Sequence, residues 1–215
     1  MSLIVRNYQA EYRADETDTG VVIGVPIVLN TPTDIGGRFK EIIAEGAISD
    51  EMLKSDVRFF WNHNIEEKAL ARGVIPLDKK GGMELVVNGN KIEMKARLNL
   101  ERTDAKDLYL AIQDGVVNQM SFMFGVADER WEGLDTDYPT RVITKIDPLV
   151  EVSAVNFPAY KTTSIGVRSD KSEETDLDVL DKARERYLHT RNVENKAATE
   201  LEVEKLKAKY LYEVK

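Results

Sequence analysis

The 215-residue sequence contains no cysteine and two histidines. Without thiols there is no disulfide, thiolate zinc site or cysteine nucleophile, and two imidazoles are too few for a histidine-rich metal site. No apolar run approaches the roughly 20 residues that cross a bilayer. The opening Met1-Ser2-Leu3-Ile4-Val5-Arg6 lacks both the basic start and the long apolar stretch of a secretory signal. A cytoplasmic protein without membrane partners is expected. Cations are in deficit, 30 Lys and Arg against 38 Asp and Glu, a formal net charge of -8. That balance lacks the basic footprint that nucleic-acid phosphates require, so nucleic-acid binding is not expected. There is no Gly-rich phosphate loop, and neither a cofactor nor a metal is expected. Chemistry must come from hydroxyls, carboxylates and one or two imidazoles.

What is present suits a globular core with an appendage, with 42% hydrophobic and 7% aromatic residues. Ile4, Tyr8, Ala10 and Tyr12 recur with period two and Gly20 to Leu29 is rich in Val and Ile, predicting two strands around a polar turn, Asp15 to Thr19. Asn30 to Gly37 reads as a loop, Phe39 to Ala47 as a compact amphipathic element and Ile48 to Lys54 as a short helix. Val57 to Trp61 is a β-branched and aromatic run ending at Asn62-His63-Asn64. Asn88-Gly89 predicts a type I′ hairpin between Met83 to Val87 and Lys91 to Leu98. Thr103-Asp104 reads as the cap and first-turn acid of a helix that stops at Gly115. A strand from Asn118 to Gly125, a polar loop from Asp128 to Thr140 and a strand from Arg141 to Ile146 follow; Asp147-Pro148 is expected to break the chain before another strand, Leu149 to Val155. From Arg168 the composition turns polar: residues 169–176 read as a charged linker, and 177–215 as a helical tail, one helix or two joined near Asn192 to Asn195. Its apolar stripe is too ragged for a heptad, and either an assembly arm or a solvated helix fits it.

Three residues stand out. In a strand, Met120, Phe122 and Phe124 share one face and Ser121 shares the other with Met123. A buried serine can simply be satisfied by a neighbouring strand, yet without cysteine a hydroxyl is the available nucleophile, and it needs an adjacent base because it is hardly ionised at neutral pH. His63 can be that base or a polar turn residue. Glu151, with Ser153 and Val155 on one strand face, can hold the imidazole through its other nitrogen or face solvent at a sheet edge.

The residues in order, Phe39-Lys40-Glu41 with Gly46-Ala47, Asn62-His63-Asn64, Gly115 leading to Met120-Ser121-Phe122-Met123-Phe124, then Leu149-Val150-Glu151-Val152-Ser153-Ala154-Val155 and Pro158-Ala159-Tyr160, resemble the prohead maturation proteases of tailed bacteriophages. That family is similar in fold and chemistry to the herpesvirus capsid-maturation serine proteases. The resemblance spans about Gly20 to Arg168. It implies Ser121 as nucleophile, His63 as general base and then acid, and Glu151 as third member where the herpesvirus enzymes use a second histidine. It implies a mainly β fold with peripheral α-helices, a closed or nearly closed β-barrel of the herpesvirus-protease type in residues 1–168, followed by the linker and tail. The implied substrates are the scaffold protein, or scaffolding segment of the major capsid protein, and the protease itself, inside assembling proheads in the host cytoplasm; self-association is expected. The tail would direct packaging and be removed by self-cleavage. Leu70-Ala71-Arg72 and Met123 depart from the family's usual Leu-Gly-Arg and Ser-Phe-Gly-Phe, which leaves the oxyanion-hole donors open. A catalytically inactive capsid-assembly module acting through the tail, and a small β-barrel interaction domain, are the competing readings.

Overall fold

The computed structural model describes residues 3–8, 12–14, 19–156 and 175–213. The elements run β1 (Leu3–Tyr8), β2 (Tyr12–Ala14), β3 (Val21–Val28), β4 (Thr33–Ile35), β5 (Phe39–Ile43), α1 (Asp50–Leu53), β6 (Arg58–Trp61), β7 (Ala71–Arg72), β8 (Met83–Asn88), β9 (Lys91–Arg97), α2 (Thr103–Gln113), β10 (Gln119–Glu132), β11 (Thr140–Val155) and α3 (Asp176–Glu213). The protein is mainly β with a few helices. Among the described residues the strands form two sheets rather than one closed barrel. In the larger, seven-stranded sheet, β1, β10, β11, β5 and β4 lie in that order, while β6 pairs with the other half of β11 and with β7. The smaller sheet has the order β2-β3-β9-β8.

Apolar alternation explains the packing. Met120, Phe122 and Phe124 point inward from β10, with the last two rings stacked at 4.8 Å. They join Val22, Ile27, Ile92 and Met94 of the small sheet and Leu108 and Ile112 of α2 in one core. Each such fully buried side chain contributes about 2 kcal/mol.

Several expectations change in detail. The early β-segment is divided between the sheets, β1 pairing with β10 and β2 with β3, while Asp15 to Asp18 lie outside the described residues. Phe39 to Ile43 is a strand because it finds β11 as a parallel neighbour. The hairpin loop is Gly89-Asn90, and Gly89 alone has positive φ, the II′ pattern rather than I′. Arg102 is the N-cap of α2; Asp104 serves from within the first turn, accepting the Ala105 N–H. Asp128 to Glu132 continues β10 because it pairs with Thr140 to Lys145, and β11 runs through Asp147-Pro148 as one strand with a cis peptide bond. The tail from Asp176 to Glu213 is a single helix whose start docks on the domain: Leu180 and Ala183 are buried and Asp176 takes a guanidinium N–H of Arg6 at 2.7 Å. Pro158-Ala159-Tyr160 and residues 169–174 of the linker lie outside the described residues. No helix among the described residues is long and apolar enough to cross a membrane.

Candidate active site

β11 is the backbone of the site. Its alternation puts Glu151, Ser153 and Val155 on one face, and the antiparallel register sets Met123 opposite Glu151 and Ser121 opposite Ser153, so these five side chains share that face. Glu151, Ser153 and Ser121 are completely buried, which excludes a solvent-facing edge role for Glu151.

His63 arrives from the other side of β11. β6 runs parallel to β11, with Trp61 level with Ala154. A strand continuing straight would carry the next residues beyond Ala154. Instead Asn62 and His63 both adopt left-handed backbone, φ 53 and 57, and the chain folds back along β11. The Asn62 N–H donates to the Ala154 carbonyl at 2.8 Å, the His63 N–H to Ser153 Oγ at 3.3 Å, and the imidazole Nδ1 meets Glu151 Oε1 at 2.6 Å. Left-handed backbone costs a residue with a Cβ roughly 1 kcal/mol, less for asparagine, so neighbours must hold it. Asn62 Oδ1 accepts the Asn156 N–H at 2.9 Å, and Asn156 Oδ1 accepts the Trp61 indole N–H at 2.9 Å. The Asn-His-Asn turn is thereby fastened to the end of β11. Strained backbone of this kind concentrates at working sites.

A carboxylate facing Nδ1 can accept a hydrogen bond from a proton-bearing nitrogen there, an arrangement that would leave Nε2 as the nitrogen open to a further partner. The second carboxylate oxygen accepts the Ser153 hydroxyl. Such an imidazole can take a proton at Nε2 while Glu151 stabilises the resulting cation. Among the described residues no group of three or more His, Asp or Glu stands at metal-ligand spacing.

The structure thus brings two of the three sequence-derived residues together. Ser121 is on their face, but among the described residues its hydroxyl donates to the Arg6 carbonyl of β1 at 3.0 Å. Met123 is buried beside it and opposite Glu151. Sequence reasoning placed Ser153 on the right face without giving it a task. Its two-residue spacing from Glu151 was the signal, since period two makes them neighbours on one surface. Arg6 carried no comparable signal, because its partners lie 35 and 170 residues away.

Residues 8–178 match the family model for the caudovirus prohead serine protease. Comparison with curated proteins and with solved structures finds no similar one.

Proposed function

Since the chain belongs to the caudovirus prohead serine protease family, we propose that this serine protease of capsid maturation works through Ser121, His63 and Glu151. The observation that carries the reading is the 2.6 Å contact between His63 Nδ1 and a fully buried Glu151 carboxylate. Ser121 Oγ leaves the Arg6 carbonyl and attacks the carbonyl carbon of a peptide bond while His63 Nε2 takes its proton; His63 then gives that proton to the departing amine. Water, deprotonated by the same nitrogen, releases the acyl group and regenerates the serine. Catalytic hydrogen bonds in free enzymes often tighten only with substrate, which is compatible with the resting bond of Ser121.

On this reading the substrates are the scaffold protein or the scaffolding segment of the major capsid protein, and the protease itself, inside the assembling prohead in the host cytoplasm, without nucleic acid or membrane. On the same reading the two sheets together make a nearly closed β-barrel of the herpesvirus-protease type. Residues 1–168 are the protease domain, 169–176 a linker, and 177–215 an assembly and targeting tail removed by self-cleavage. Self-association would accompany packaging.

One observation favours a second reading. Ser121 is fully buried and its hydroxyl is already satisfied by main chain, as in an inactive assembly module that works through its tail. Coexpression with the capsid protein, wild type against Ser121→Ala, decides between them by intact mass. Trimming of either chain in the wild type alone supports the protease mechanism. Equal trimming in both, or none despite assembled shells, moves the assembly module ahead.

A further inference from the structure

Ser153 is completely buried and makes two polar contacts, one to each member of the His63 and Glu151 pair. Its hydroxyl donates to Glu151 Oε2 and accepts the main-chain N–H of His63 at 3.3 Å. A serine hydroxyl has one proton to give, and here it goes to the carboxylate. Ser153 is therefore unsuited to be a second nucleophile, because it faces a carboxylate oxygen and a peptide N–H instead of an imidazole nitrogen.

The two contacts constrain different things. The bond to Oε2 stops the carboxyl group from turning about its terminal torsion, which is broad and soft in glutamate. With Oε2 held, Oε1 is presented to Nδ1 in one orientation. The bond from the His63 N–H pins the left-handed residue whose φ of 57 swings the ring back over β11. We propose that Ser153 is a positioning residue for the His63 and Glu151 pair, a clamp that sets carboxylate and base backbone with one hydroxyl; this rests on the triad reading above. The clamp keeps the Nδ1–H to Oε1 bond in place as the imidazole gains and loses a proton at Nε2. A serine that merely satisfies core neighbours would have no effect on that proton.

The test uses the full chain labelled with ¹⁵N-histidine in a Ser121→Ala background, which keeps it uncleaved. There are two histidines, so His189→Gln assigns the spectrum. Expected is a downfield, exchange-protected Nδ1 proton on His63 that disappears or moves upfield in Ser153→Ala and persists in Ser153→Thr. In the Ser121 background, Ser153→Ala lowers kcat for the coexpressed substrate about ten- to a hundredfold with KM unchanged, the loss of one hydrogen bond to a charged group, and Thr restores it. If Ser153→Ala does not fold, Ser153→Cys, similar in shape and a weaker donor, takes its place and is expected to move the proton part-way. A folded Ser153→Ala or Ser153→Cys with the wild-type proton signal and turnover overturns the proposal. Should Ser121→Ala cleave like the wild type, the triad reading falls, while the imidazole proton still decides the clamp.

Discussion

β11 runs through two sites built on a buried carboxylate, one near each end, and they differ in partner. Near its start, Arg141 donates to Glu41 Oε2 at 3.1 Å, while Arg6 grips the same carboxylate at 2.6 Å and 3.1 Å, and Glu129 and Asp176 continue the network. Near its end, Glu151 meets an imidazole and a hydroxyl. Both carboxylates are fully buried. Guanidinium does not release its proton in proteins, whereas imidazole changes charge near neutral pH. The first site is consequently a permanent staple among β1, β5, β10, β11 and α3, and the second, on the proposed mechanism, cycles a proton. Burial alone does not distinguish structure from chemistry; the partner's ability to titrate does.

Paired substitutions test that contrast most strongly. Glu151→Gln is expected to lower kcat by about 10⁴-fold, the scale seen when a buried triad carboxylate becomes an amide, while the chain stays folded by circular dichroism. Glu41→Gln is expected to do the reverse, costing about 2–3 kcal/mol because Arg6 and Arg141 lose the buried carboxylate they share and keep only the more exposed Asp176 and Glu129, with cleavage by the remaining folded molecules unchanged; urea unfolding measures it. If the two variants exchange phenotypes, the division into staple and proton site is wrong.

Acid sharpens the same comparison at a smaller scale. Burial by itself would raise the Glu41 carboxyl, but the charges and hydrogen bonds of Arg6 and Arg141 outweigh it and hold the group below its ordinary 4.5. A carboxyl depressed in the folded state adds stability that is present above its unfolded value and lost as pH falls through the folded one. Wild-type stability should therefore drop more steeply below pH 4.5 than that of Glu41→Gln, read by thermal unfolding against pH. The smallest effect belongs to Asp176→Asn, whose partly exposed carboxylate contributes at most about 1 kcal/mol. Hydrogen exchange should report it as earlier opening of the first turns of α3, with the β-domain unaffected.

The legible parts of the sequence were those fixed by short-range physics. Period two divided Met120, Phe122 and Phe124 from Ser121, and the Gly115 stop and the Asn62-His63-Asn64 turn marked boundaries where the backbone adopts positive φ. The meeting of His63 with Glu151 was expected by resemblance and could not be obtained from local pattern, since 88 residues separate them. Asp147-Pro148 misled because proline suggests an interrupted ladder, yet β11 tolerates it where the β10 register shifts between Phe124 and Val126. In the sequence Glu41 figures only within the Phe39-Lys40-Glu41 series, with no partner for its charge. Only the arrival of Arg141, 100 residues later, and Arg6 from the chain's start makes its burial affordable.

The parallel seating of β6 against the last part of β11 has a consequence in time. Parallel partners cannot be joined by a tight turn, and pairing across so long a stretch forms late. On a ribosome adding about 5–20 residues per second, His63 is made on the order of ten seconds before Glu151 exists to receive it. Until β11 emerges and inserts between β10 and β6, the turn at Asn62 and His63 has no strand to fold back upon. The nascent domain therefore passes through synthesis with its proposed base unassembled, and the same strand that completes the large sheet completes the His63 and Glu151 pair.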